Sequence, residues 1–221
     1  HRRQPEIHAA QHPDLTQHPT KPAIPPQLNA NISLNCYLHD LRVAGSMGVQ
    51  EQVYELVKVH PNFEIRKYPD VICAIATMSE SDYSGSSESF QRIAKYIFGQ
   101  NDRSMKIAMT SPVQRWNDED GSKMAFIMPP EYQIGDLPSP IDEGVEIVEV
   151  PECLTAVLRF SGFSGRRKTE SRARRLEALI QEHEYRQISV PILAVYDNPG
   201  TTLPFLRRNE IIIPIEIALE G

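Results

Sequence analysis

The residues able to do chemistry in this chain are few and scattered. Three cysteines, Cys36, Cys73 and Cys153, stand far apart; an odd count at that spacing makes neither a disulfide framework nor a zinc ribbon. Cys73 and Cys153 lie in apolar, strand-like runs, where a reduced, buried thiol is expected. Five of the seven histidines (His1, His8, His12, His18, His39) fall in the first 50 residues. Their spacing fits no compact ligand set, so they read as solvated tail. His60 sits beside a turn, and His183 at a helix end answers the helix dipole. Gly162-Phe163-Ser164-Gly165 lacks the spacer of a serine elbow. Walker, G-x-G-x-x-G and H-E-x-x-H patterns do not occur. Asp82, Glu88, Glu177 and Glu210 have no evident carboxylate partner for proton transfer. The remaining polar cluster is Arg207-Arg208-Asn209-Glu210, with Asp197-Asn198-Pro199-Gly200 before it. It reads as a charged hairpin tip with surface ion pairs, or as an anion or partner contact made by the arginines. Binding, not catalysis, is the expectation.

The chain that must position these groups has 221 residues, 24% charged and 40% hydrophobic. That is ordinary for a globular protein with a sizeable core. A net charge of −6 argues against nucleic acid as a main partner. No apolar run approaches the roughly 20 residues of a membrane helix; association with a membrane surface stays open. Residues 1–50 differ from the rest. They carry six prolines and few apolar residues before Leu34, a composition that cannot bury enough surface to fold alone. They read as an extended tail and linker, with 32–43 as a short helix or a docking peptide for a larger assembly. Residues 51–221 form the folded part.

Within that part, residues 53–59 and 63–68 alternate around Pro61-Asn62, a hairpin. Residues 71–78 are continuously apolar, like a strand covered on both faces. Residues 86–97 follow as a helix. Strands are expected at 105–109, 113–116 and 123–128. After a proline-rich connector at 137–140 the order repeats. Strands fall at 145–150 and 154–160, a helix runs from 169 to about 183, and strands follow at 190–196 and 210–217. Pro214 inside the last strand argues for an edge. Each half reads strand, strand, helix, strand, strand. The expected fold is α+β: duplicated units forming one curved antiparallel sheet or distorted barrel with two packed helices.

The first helix is the centre of this arrangement. Phe90, Ile93, Ala94 and Ile97 recur at helical spacing on one face, Gly99 follows as a stop, and residues 106–113 close the unit. Phe90, Tyr96, Ile97, Gly99, Asn101 and residues 106–113 resemble the SOUL / haem-binding protein family. So do blocks at 63–68, 160–163 and 196–199 leading to 207–210. Residues 203–210 look most like the family's plastid branch. A removed transit peptide would then explain a chain that starts at His1; a cytoplasmic site is the alternative.

The resemblance implies the duplicated fold and non-enzymatic binding of haem or another tetrapyrrole, as a carrier or buffer. The ring would lie in an apolar groove against the first helix. The family's hydrophobic contact falls on Phe90 and a propionate-meeting lysine on Lys95. Ile93, Ala94, Ile97, Met109 and Phe205 complete the candidate site, and Met124 is a further methionine that could touch the ring. The helix residues are equally the face such a helix packs into its own core. An arginine of some members is replaced by Ser87. The axial histidine of some members is replaced by Lys67, and a protonated lysine has no lone pair for iron. No protein metal ligand is therefore expected. The alternative is an accessory structural subunit of a plastid complex, docked through residues 1–48 with an idle pocket. An enzyme acting on a tetrapyrrole would need a proton relay these residues do not supply.

Overall fold

Alternation along the strands sets the architecture, seen in a computed structural model that describes residues 49–78, 88–198 and 200–217. All of them belong to one unit, Arg42–Gly221. The tail reading, Ser87 and Cys36 lie outside the described residues. In chain order the elements are β1 (Gln50–Glu51), β2 (Glu55–Val59), β3 (Glu64–Tyr68), β4 (Val71–Met78), α1 (Glu88–Ile97), β5 (Thr110–Ser111), β6 (Val113–Asp118) and β7 (Gly121–Ile127). The second half supplies β8 (Val145–Val150), β9 (Cys153–Ser161), α2 (Arg166–Glu182), β10 (Tyr185–Gln187), β11 (Ile192–Val195) and β12 (Arg208–Ile217).

The main sheet runs β2-β3-β9-β12-β11-β6-β7-β4-β8, with β10 paired to β12. All its ladders are antiparallel, and its ends, β2 and β8, do not join. Exchanging β3, β4, β6 and β7 for β8, β9, β11 and β12 reads that order backwards. The duplication is therefore visible as a pseudo-two-fold between β6 and β11. The first strand of each repeated unit crosses to pair with the other unit, β3 on β9 and β8 on β4, so neither unit closes its sheet alone.

Period-two alternation assigns side chains to the two faces. On the helix-covered face, Ala74, Ala76 and Met78 of β4 meet Met124 and Phe126 of β7 and Ile93, Tyr96 and Ile97 of α1. The equivalent cluster beneath α2 joins Leu176 and Ile180 to Ala156, Leu158 and Phe160 of β9 and Ile211, Ile213 and Ile215 of β12. The intervening residues fill the opposite face: Cys73, Ala125 and Ile127 in one half, Tyr68, Val157, Ala194 and Ile212 in the other. β4 thus has apolar neighbours on both faces, as its continuous apolar run requires.

Three expectations are corrected. Residues 105–109 form no strand. Ile107 is buried, and its N–H donates to the Ile97 carbonyl at 2.8 Å, so the segment is tied to the end of α1 instead of a ladder. The strand lies just beyond, at Thr110–Ser111, parallel to Gln50–Glu51. Pro214 is not at an edge: β12 is central, with Pro214 opposite Thr155. On its other side β11 pairs with residues 209–212 and β10 with 215–217. The Pro214 carbonyl accepts from Ile188 there. The missing N–H therefore points where the ladder passes from one partner to the next, the position a central strand tolerates. Finally, Arg207-Arg208-Asn209-Glu210 is no hairpin tip: residues 208–210 enter β12, and Asn209 and Glu210 are buried.

Candidate functional site

The residues that made α1 recognisable divide into structural and available ones. Gly99 adopts φ +105, which side-chain-bearing residues rarely adopt. Buried Asn101 fastens the turn after it. Its Nδ2 donates to the carbonyls of Tyr96 (2.9 Å) and Met105 (2.7 Å), and its Oδ1 accepts from the Met105 N–H (2.9 Å). The Tyr96 hydroxyl donates to the Pro138 carbonyl at 2.9 Å, and burial pushes its pKa up to about 12. Ile93 and Ile97 are fully buried and face β4 and β7. These four side chains hold the helix on the sheet and present nothing to a ligand.

The outer flank is different. Phe90, Ala94 and Phe98 are spaced four apart, and the Phe98 N–H still donates to the Ala94 carbonyl at 2.9 Å. They therefore line one side of the helix over about 12 Å. Phe90 is 37% exposed and Phe98 61%. Phe90 leans edge-on against Phe126, with ring centroids 5.1 Å apart. Lys95 is exposed beside the stripe. Exposed Lys106 reaches the same end: its Cγ lies 3.8 Å from where a Cβ on Gly99 would stand. Met109 and Met105 are half-buried against the same core, and Met124 is buried within it. An apolar strip with cations near one end suits a flat apolar ligand with an acidic edge. Phe98 was missed from the sequence because it follows the last residue of the buried face.

Phe205 is not part of this site. It lies in the short 3-10 turn Pro204–Leu206, which contacts β9. Three strands lie between β9 and β7, four strand spacings or about 20 Å along the sheet. Lys67 pairs with Glu152 at 3.0 Å on β3, likewise away from α1. His60 and His183 meet each other, ring centroids 4.4 Å apart, among Phe63 and Tyr185. Burial first, then the neighbouring His183 and Lys58, lowers the His60 pKa. Among the described residues, no group of three metal-ligating side chains comes together. The α1 flank thus fits a porphyrin's ring and carboxylates, and supplies no axial imidazole.

Two other features compete for attention. A cleft of about 710 Å³ opens between Gln52, Val71, Val150 and the loop 129–135. Its charged lining residues are Glu51, Asp70 and Glu149, with no lysine or arginine, the wrong sign for a ring bearing carboxylates. On the face away from the helices, buried Arg66 forks onto Glu210, with Nη1–Oε2 at 2.8 Å and Nη2–Oε1 at 3.2 Å. The Tyr196 hydroxyl donates to Glu210 at 2.7 Å, and Arg66 donates to the Tyr68 hydroxyl at 3.1 Å. Burial works to lower the Arg66 pKa, but Glu210 and Tyr68 outweigh it and the net shift is upward. Burial, then the Glu210 charge, raises Tyr196. Residues 49–54 cross this face: Glu51 pairs with Arg208 at 2.5 Å, and Arg66 lies over the Tyr54 ring at 4.1 Å. Arg66, Glu210, Tyr68 and Tyr196 satisfy one another at its centre and read as structural.

A family model described as "SOUL heme-binding protein" matches residues 49–214. "Heme-binding protein 2" of Homo sapiens is 27% identical over 159 residues, covering 68% of this chain and 76% of the relative. "Heme-binding protein 1" of Mus musculus is 32% identical over 132 residues, covering 56% and 68%. Among solved structures, a hydrolase from Listeria innocua superposes with TM-score 0.51 at 12% identity, covering 72% of this chain and 94% of that one. The EcmrR–DNA complex gives 0.54 at 11%, covering 70% and 57%. At that identity the likeness shows the fold alone.

Proposed function

The chain belongs to the SOUL heme-binding protein family, and from that premise we propose that it binds haem or another tetrapyrrole on the outer flank of α1, as a carrier or buffer and not as a catalyst. The family match supports the ligand class. The observation that carries the location is the stripe Phe90–Ala94–Phe98 with Lys95 and Lys106 beside it. The ring would stack on the phenylalanines, and the lysines would meet its carboxylates. Carriage needs the ring to be covered and oriented, and asks for no proton relay.

The resemblance of residues 203–210 to the plastid branch supports a plastid site of action. A second reading, an accessory subunit of a plastid complex, has one observation behind it. β2 is an outer strand of the sheet, and Val53, Leu56, Val57 and Val59 are exposed on or beside it; such an edge accepts another chain.

Titrating the full chain with haemin should give a saturable Soret shift. Phe90→Asp or Phe98→Asp should each weaken it by about tenfold or more, since each removes one aromatic from the ring's footprint. Lys95→Glu should weaken haemin more than a porphyrin ester lacking free carboxylates. A titration that saturates identically in all these variants would exclude the α1 flank.

A further inference from the structure

We propose that the end of the molecule formed by the loops 161–165 and 203–207 is a docking surface for an anionic lipid bilayer, a role separate from the tetrapyrrole site. Four large apolar side chains project there: Phe163, Leu203, Phe205 and Leu206, each 57–69% exposed. The two loops are one surface. Arg207 lies over the Phe163 ring at 5.3 Å, and the Asn209 side chain donates to the Gly162 carbonyl at 2.9 Å. Gly162 stands at φ +95, and a Cβ there would lie 4.0 Å from the Pro204 carbonyl. The apolar residues therefore sit on two loops that are tied to each other and to the sheet.

Their surroundings choose the partner. α2 begins directly behind the tip, and residues 166–175 carry six arginines and lysines against one glutamate in a chain of net charge −6. Arg166 and Arg167 are exposed on the first turn, and Arg166 also pairs with Glu170 at 3.0 Å, a surface ion pair that phosphate can compete with. Lys168 donates to the Ser161 carbonyl at 2.8 Å. This is a basic end on an acidic protein, with aromatic and leucine tips in front of long cationic side chains. Such tips enter the region between headgroups and acyl chains, while arginine and lysine stems reach back to phosphate.

The test is co-sedimentation of the full chain with vesicles of phosphatidylcholine alone and of phosphatidylcholine with phosphatidylglycerol. Binding should need the anionic lipid and fall with added salt. Phe205→Ser with Leu206→Ser should lower the affinity about tenfold or more. Arg166→Glu with Arg167→Glu should abolish the preference for anionic lipid. Far-UV circular dichroism and haemin titration of both variants check that the fold and the other site persist. Equal binding to both vesicle types, no binding to either, or binding unchanged in the variants overturns the proposal. So does capture by an immobilised polyglutamate without capture by vesicles, which would assign this end to an acidic protein.

Discussion

Glu210→Ala should destabilise the folded chain by about 3–5 kcal/mol, the scale for stranding a buried cation. The carboxylate accepts three hydrogen bonds, two from Arg66 and one from Tyr196. Removing it leaves the guanidinium 4% exposed with the half-exposed Glu64 as its remaining carboxylate, Nη2–Oε2 2.7 Å. Removing both charges is a different matter. Arg66→Met with Glu210→Leu should recover most of the loss, because apolar groups of similar volume replace a desolvated ion pair at little cost. Chemical denaturation of the single and double variants checks this. A Glu210→Ala loss below about 1 kcal/mol would mean that the pair is solvated.

Raising the pH from about 9 to about 12 should remove on the order of 4 kcal/mol of stability through Cys73 alone. Burial pushes this thiol from 9.0 up to about 12. The unfolded chain therefore releases the proton first, and the folded chain retains it. The contribution is whole below the unfolded value and lost as pH rises through the folded one. Burial also raises Tyr68, so the alkaline loss is shared. Thermal melts across this range, compared with Cys73→Ala, should show a shallower alkaline decline in the variant. Rapid modification of the folded protein's Cys73 by a thiol reagent at pH 8 would contradict the burial.

Both results bear on what was legible in the chain. β4 could be read from residues 71–78 because it is apolar on both faces and is covered on both. α1 could be read because Ile93 and Ile97 keep helical spacing. The Arg66–Glu210 pair could not be read, since its members lie 144 residues apart and meet only when β9 brings β3 and β12 to its two sides. Their neighbours gave no hint, because Arg66 stands in Glu64-Ile65-Arg66-Lys67-Tyr68 and Glu210 directly follows Arg208-Asn209, so neither charge stands out. The same limit applies to the site. Periodicity found the face α1 turns inward, so Ile93 and Ile97 were placed with Phe90, whereas a ligand can use only what the sheet leaves uncovered. Phe98 and Lys106 join the flank through the turn that Gly99 and Asn101 fix. Phe205 matched by sequence block and lies on the other half.

The central claim is a place, so the most direct measurement is one that locates the ligand. Haemin carries paramagnetic iron, and its titration into the labelled full chain can be followed on backbone amide signals. Saturable broadening centred on Phe90, Ala94, Lys95 and Phe98 is the predicted result. Broadening centred on the loop 129–135 or on Phe163 and Phe205, with α1 unaffected, would contradict the account.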